Sequence, residues 1–393
     1  FIEDDFKFNL AVEFTRITFP FLLFVSLSSF FSGILNSNNK FAAAAAAPII
    51  LNIILIFSII ISYFYDLNFA KQLSYGVTLA GIIQLFFLIY VTLKFYRPNI
   101  RYKFKITKKV KFFFKKLLPS ILSSGVTQIN ILVGTIIASF QTGAVSYLYY
   151  ADRVYQINLA IAGIAVGTVS LPALSDAYKK RNFLKLSNIQ NKSIELSLLL
   201  SIPASLGLIL AADEIVSGLF GYGSFTIEDV TMTSHALIFF GYGIIAFALV
   251  KILGNFFFAR NNTKTPFYIS SLIVFLNITI SLSFFNQIGF LIIPIATSVS
   301  TWVGVLIYFY LLYKQNFLLL QNKLFLNTFK IMISSIVMSF VLILTLQNFA
   351  NYLHYNYIYK SLFLVIIICF VGIVYLLSCY LLGLLKIKNY KTN

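Results

Sequence analysis

Apolar runs of about 20 residues, the length that matches the hydrocarbon thickness of a bilayer, recur from one end of this chain to the other. A water-soluble domain would have to bury every one of them. Read as spans, they predict eleven transmembrane segments, near 17–37, 43–65, 72–96, 118–140, 147–173, 193–212, 231–256, 266–286, 289–313, 328–349 and 360–384. The stretch Asp213 to Asp229 between two of them, with Gly218, Gly221 and Gly223, is expected to be a loop. With 59% hydrophobic and only 11% charged residues in 393, the chain belongs in a bilayer. The fold class is therefore all-α, a polytopic transmembrane helical bundle.

The net charge of +18 raises nucleic acid as a partner, and the placement of the charge excludes it. Basic residues fall in alternate loops. Ten lie between Lys94 and Lys116, five between Lys179 and Lys192, and further ones are Lys40, Arg260, Lys264, Lys314, Lys323, Lys330 and the tail lysines Lys386, Lys388 and Lys391. The opposite side carries Lys7, Arg16, Lys71 and Lys360. Cytoplasmic loops hold the excess of Lys and Arg, so the C-terminus is predicted to be cytoplasmic.

No constellation for catalysis or metal binding stands out. Cys369 and Cys379 share the last span without a second pair, and His235 and His354 are isolated at span ends. Asp213, Glu214, Glu228 and Asp229 form the one dense acidic set and read as solvated loop charge. An enzyme acting on lipid-linked substrates would need acidic metal ligands or a base near the surface.

Ionisable groups inside spans are expensive and usually face a cavity or a partner. The clearest set is YLYYADRVYQINL, where Asp152, Arg153 and Gln156 fall within one helical turn and Arg153 shares a face with Gln156 at i, i+3. A cation and an amide on one face suit an oxyanion; snorkelling of Arg153 to the interface, or pairing with Asp152, is the structural alternative. Lys251, two turns from the end of its span, divides between cavity and snorkel, whereas Arg260 and Arg16, at span ends, read first as interface anchors. Gly163 and Gly167 form a GxxxG pair, and Ser26, Ser28, Ser29, Ser32 and Gly33 make a small, polar segment; close helix packing is the expected role of both.

The stretch from Arg97 to Lys116, with RYKFKITKKVKFFFKKLLP, reads as an interfacial helix whose lysines meet anionic headgroups while Phe112, Phe113 and Phe114 enter the acyl boundary. The alternative is a linker whose charge only fixes topology. A parallel internal repeat is also visible: Asn38, Asn39 and Lys40 before a span with Leu51-Asn52-Ile53 recur as Asn261, Asn262 and Lys264 before Leu276-Asn277-Ile278. The first segment, FIEDDFKFNL, starts without Met or a basic leader and reads as an extracytoplasmic approach to a span.

The segment GAVSYLYYADRVYQINLAIAGIAVGTVSLPALS, from Gly143 to Ser175, resembles the eighth-helix signature of the MurJ (MviN) lipid II flippase family. Three further stretches carry the resemblance in the same order: Arg16 to Ile53, LFGYGSFT at Leu219 to Thr226, and FFFARNNTKTPF at Phe256 to Phe267. It implies a member of the MOP superfamily of exporters, with two lobes around a cationic cavity and two extra C-terminal helices. Family helices 4 to 6 would occupy 1–96, a basic amphipathic linker 97–117, helices 7 to 12 the stretch 118–313, and the extra helices and tail 314–393. The family's first three helices have no counterpart, so the chain looks N-terminally truncated. The implied activity is alternating-access transfer of the undecaprenyl-pyrophosphate-linked peptidoglycan precursor across the bacterial inner membrane, without a cofactor and coupled to membrane potential or a monovalent cation. Implied partners are lipid II and membrane lipids, with other cell-wall synthesis proteins as further candidates.

The resemblance assigns Arg153 to the pyrophosphate, with Asp152 and Gln156 beside it and Lys251 and Arg260 as further cationic candidates. Where some members resemble a sodium site, this chain has Gly134, Asn277, Ser281 and Thr297, which offer neutral oxygens only and argue against tight sodium binding. The rival readings are another polyprenyl-linked oligosaccharide flippase of the superfamily, expected to lack the YYADR and LFGYGSFT combination, and a multidrug exporter, expected to carry a carboxylate for a drug cation.

Overall fold

The computed structural model of the protein describes residues 5–38, 40–96 and 107–385. Every described element is helical, as hydrocarbon requires of a chain that must satisfy its own backbone groups. The chain forms two compact units, Phe1–Ile106 and Thr107–Asn393, so the boundary falls within the predicted basic linker.

The first unit holds α1 (Asp5–Thr18), α2 (Pro20–Ser37), α3 (Phe41–Phe64) and α4 (Phe69–Leu93). Pro20 opens α2, where its missing N–H costs nothing. α4 pins the joint: Thr78 Oγ1 donates to Ile17 O at 2.5 Å and Lys71 pairs with Glu13 at 2.8 Å. Buried Gln84 donates to Ala47 O at 2.7 Å, a bond that stands out where no water competes. Of Ser26, Ser28, Ser29 and Ser32 on α2, Ser28 is buried and Ser32 half-buried; Ser26 and Ser29 are exposed and donate to carbonyls of their own helix. The packing role expected of the whole segment therefore reduces to Ser28 and Ser32.

The second unit runs α5 (Lys108–Ala138), α6 (Ala144–Leu159), a π-helical segment (Ala160–Ala165), α7 (Val166–Lys179), α8 (Phe183–Leu210), α9 (Ala212–Phe220), α10 (Ile227–Phe258), α11 (Lys264–Ile288), α12 (Ile292–Lys314), α13 (Asn322–Asn348), α14 (Ala350–Leu353) and α15 (Lys360–Leu381). α10 is the hub. Two thirds of its most apolar window is buried, against about one third for α8 and α13, because it is apolar on all faces and a helix of that kind packs on all sides. Ser205 of α8 donates to Gly241 O at 2.8 Å, Ser298 of α12 to Phe239 O at 2.6 Å and Trp302 of α12 to Tyr242 O at 3.0 Å.

Three expectations meet the structure here. First, among the described residues nine helical segments are long and apolar enough to cross a bilayer, and with one of them folded as two helices they cover ten of the eleven expected spans. One of the nine, Lys264–Lys314, folds as two helices turned at Gly289, whose φ of +73° suits glycine; Gln141 in the α5–α6 turn accepts the Phe290 N–H there at 2.9 Å. The remaining expected span, 118–140, falls on α5, which is apolar over Gln128–Ala138 and lies in part outside the described side chains. Second, 213–229 is not a loop. α9 forms because Ala212, Ile215 and Val216 bury one face, and Thr226 and Asp229 close a capping box at the start of α10. The acids read as solvated loop charge thus stand in the first turns of two helices, where they complement the dipole. Third, from Lys108 the basic run continues without a break into the apolar part of α5; Arg97 to Ile106, the rest of the predicted interfacial helix, lies outside the described residues, as do Asn39 and the tail lysines.

Candidate functional site

The predicted oxyanion group sits on α6, which is held by aromatic packing on both sides of it. Tyr150 packs against Phe220 and Phe225, with ring centroids 4.8 and 5.2 Å away, and Tyr155 stacks on Phe240 at 4.6 Å. Between these anchors Arg153 is exposed, its guanidinium 4.7 Å from the centroid of the Tyr149 ring on the preceding turn. It makes no salt bridge among the described residues. Gln156 does not join it: its amide donates to Asp152 Oδ2 along the helix, so the i, i+4 pair takes the place of the expected i, i+3 pair. Asp152 is occupied by that amide, and the guanidinium stays available to a ligand.

Immediately after α6 the backbone widens into the π-helical segment, a form that concentrates at functional sites. Its packing explains the GxxxG pair. A Cβ at Gly163 would stand 3.1 Å from the Cα of Ala248, and Gly167 O accepts from Asn255 Nδ2 at 2.9 Å, so both glycines bring this helix against α10.

The other cations are elsewhere. Lys251 on α10 is exposed and makes no hydrogen bond or ion pair among the described residues. Arg260 is committed: its Nη atoms donate to Phe256 O at 2.6 Å and Phe317 O at 2.8 Å, and its guanidinium lies over the Phe317 ring at 4.3 Å. It is half-buried, and burial lowers its pKa from the ordinary guanidinium value. These contacts make Arg260 a cap on the carbonyls at the end of α10 and tie α10 to the α12–α13 connection. In that role two of its N–H donors are used.

Asn277, Ser281 and Thr297 do come together. Asn277 Nδ2 donates to Thr297 Oγ1 at 2.8 Å, Ser281 Oγ to Asn277 Oδ1 at 3.4 Å and Thr297 Oγ1 to Ile293 O at 2.7 Å. A Cβ at Gly134 would meet Ile293 at 3.7 Å, so its position borders the same turn. The trio is neutral and satisfies itself, which links α11 to α12. Asn52, its counterpart in the sequence repeat, is exposed.

A feature the sequence did not reveal is an apolar groove of about 340 Å³ on the same helix as Arg153. Val154, Ile157 and Asn158 of α6 form one wall, Pro203, Ala204 and Gly207 of α8 a second, and Met338, Leu342, Ile368, Val371 and Gly372 of α13 and α15 the third. Five separate helices contribute, Ile215 of α9 among them, and no periodicity within one segment announces such a site. Lys360, taken as an outer-side charge, is the second omission: it is 1% exposed. The YNYIYK run before it gives its only sequence signal, an aromatic-rich turn that can surround a cation.

The same fold occurs in an inward-facing multidrug resistance MATE family transporter of the MOP superfamily, which superimposes with a TM-score of 0.67 over 78% of this chain and 71% of that one, at 16% identity. The solved structure of the lipid II flippase MurJ in an inward closed conformation matches with a TM-score of 0.77 and 29% identity over 95% of this chain and 74% of that one. The family model "Lipid II flippase MurJ" matches residues 2–368. A protein of Rhizobium tropici named as a probable lipid II flippase MurJ is 36% identical over 87% of this chain, which spans 65% of that relative's length. The chain belongs to the lipid II flippase MurJ family.

Proposed function

We propose that the chain moves lipid II, the undecaprenyl-pyrophosphate-linked peptidoglycan precursor, from the cytoplasmic to the outer leaflet of the bacterial inner membrane by alternating access. One observation carries the reading: an exposed guanidinium without a salt-bridge partner among the described residues and an apolar groove stand within one turn of the same helix, at Arg153 and at Val154 and Ile157. That pairing suits a ligand with an anionic head and a long hydrocarbon tail. Arg153 takes the pyrophosphate through two parallel N–H donors, Gln156 and Asp152 shape the helix face beside it, and the groove takes the first isoprenoid units. In this reading the activity is transport rather than catalysis. Lys251 remains a second candidate for the headgroup's path.

The basic loops and the C-terminus face the cytoplasm in this reading, in line with the charge distribution. The neutral trio Asn277, Ser281 and Thr297 supports coupling to membrane potential over tight binding of sodium. Other cell-wall synthesis proteins are the expected neighbours.

Ligand retention tests the reading. Purified protein is loaded with lipid II or with undecaprenol, and bound lipid is read by native mass spectrometry. Retention of lipid II over the uncharged polyprenol by at least about tenfold is expected from charge-assisted bonds to the pyrophosphate; equal retention of both would overturn the assignment of Arg153 and the groove to one ligand.

A further inference from the structure

The LFGYGSFT motif supports α6 through Phe220 and Phe225, and its turn is also bonded to the start of α15. Lys360, the first residue of α15, donates from Nζ to Gly221 O at 2.6 Å and to Tyr355 O at 2.7 Å. Its ammonium lies 4.3 Å from the centroid of the Tyr222 ring and 4.4 Å from that of Tyr355. Among the described residues no carboxylate pairs with it. A buried cation is tolerated only where its donors are matched; here carbonyl oxygens and two ring faces stand in for a counter-ion. The same turn is tied at three more points: Ser361 Oγ donates to Gly218 O at 2.7 Å, Tyr222 OH and Ser361 Oγ share a bond of 2.5 Å, and Tyr355 OH donates to Phe225 O at 2.5 Å. Gly218 and Gly221 belong to the C-terminal end of α9, where a cation complements the helix dipole.

α15 has a second anchor. Tyr375 OH donates to Leu199 O of α8 at 2.6 Å, and it lies about 22 Å along the helix from Lys360 at the α-helical rise. Ile368, Val371 and Gly372 line the apolar groove between the two anchors, and Tyr375 itself completes the α15 wall.

We propose that Lys360 is a positioning residue for transport: its ammonium pins the outer end of α15 to the α9–α10 turn and thereby sets the width of the groove between α15 and α8. This rests on the reading of the groove as the seat of the lipid tail, and it gives the LFGYGSFT turn a role, as the socket for that pin.

A covalent replacement for the pin tests it. A Cβ built on Gly218 lies 3.7 Å from the Cβ of Leu364, within the range of a disulfide. Gly218→Cys with Leu364→Cys, in a background of Cys369→Ser and Cys379→Ala, therefore reports how closely α15 sits on α9. Lys360→Met removes both donors and leaves two carbonyls unpaired; the rate of bridge formation in membranes should fall about tenfold, and lipid II translocation at matched abundance should fall comparably. Once the bridge is formed, translocation by the Lys360→Met protein should return to within about twofold of the bridged protein that retains Lys360, and dithiothreitol should abolish the recovery. An unchanged bridging rate would overturn the clasp. A formed bridge with translocation still lost would also overturn it, since Lys360 would then act on the substrate directly. If the protein moves no lipid II at all, the flippase reading fails while the bridging rate still decides the clasp. Should Lys360→Met not accumulate, Tyr222→Leu removes one ring face and should slow bridging about threefold, and an unchanged rate there counts against the proposal.

Discussion

Replacing Arg153 separates a ligand from an anchor. The guanidinium is exposed, makes no salt bridge among the described residues, and has one neighbouring group to leave, the Tyr149 ring at 4.7 Å, a contact worth about 0.5 to 1 kcal/mol at an exposed site. Bonds to a phosphate are charge-assisted and contribute about 1.5 to 3 kcal/mol when formed. Arg153→Ala forfeits all of that, so translocation of lipid II per molecule should fall by roughly 10- to 150-fold. Arg153→Lys keeps the charge and loses the bidentate geometry, about 1 kcal/mol, which corresponds to a fall of roughly fivefold. The assay measures translocation in membranes after the variants are quantified by immunoblot. If Arg153 only snorkels to the interface, Lys will substitute fully and Ala will lower abundance instead of activity. Wild-type translocation by Arg153→Ala at matched abundance would refute the assignment and leave Lys251 as the next residue to test.

Three further outcomes follow from the structure. Cysteines placed beside Lys180 and Lys323 should be shielded from an impermeant maleimide in intact cells while cysteines near Thr226 and Tyr355 react; the reverse pattern would invert the topology. Because Asn277, Ser281 and Thr297 bind one another, removing the sodium gradient at constant potential should change translocation by less than about twofold, and a steep dependence would contradict the neutral reading of that trio. Gly289→Ala forces a Cβ into a backbone with φ of +73° and within 2.8 Å of Gln141 Oε1; a strain of about 1 to 3 kcal/mol should lower Tm in detergent, and an unchanged Tm would show that the α11–α12 turn relaxes freely.

Membrane apolarity made the helices easy to read and their neighbours hard to read. The runs at 43–65 and 231–256 look alike in the sequence, yet α10 is the hub of its unit while 11% of α3's most apolar window is buried, because lipid and protein are equally apolar surroundings. Arg153 was legible because a charge within a span is rare enough to stand out. Its partner was not: Gln156 lies both three residues from Arg153 and four from Asp152, and rotamer geometry gave the amide to Asp152. The socket of Lys360 was not legible because a span boundary is where lysines normally reach water, and its burial depends on a turn 139 residues away in sequence. α9 was hidden by the glycines in and after it, of which Gly218 packs closely against Leu364 and Gly221 against Lys360 instead of loosening the chain.

The central claim is that this chain carries lipid II across a bilayer. The most direct measurement reconstitutes the protein into liposomes holding fluorescent lipid II on the inner leaflet, imposes a membrane potential, and follows the arrival of headgroups at the outer leaflet by their accessibility to an impermeant quencher. Headgroups should appear outside faster than in protein-free liposomes, and undecaprenyl phosphate lacking the sugar-peptide head should compete through the shared phosphate and tail. A rate equal to that of protein-free liposomes, with the protein folded and the potential maintained, would contradict the account.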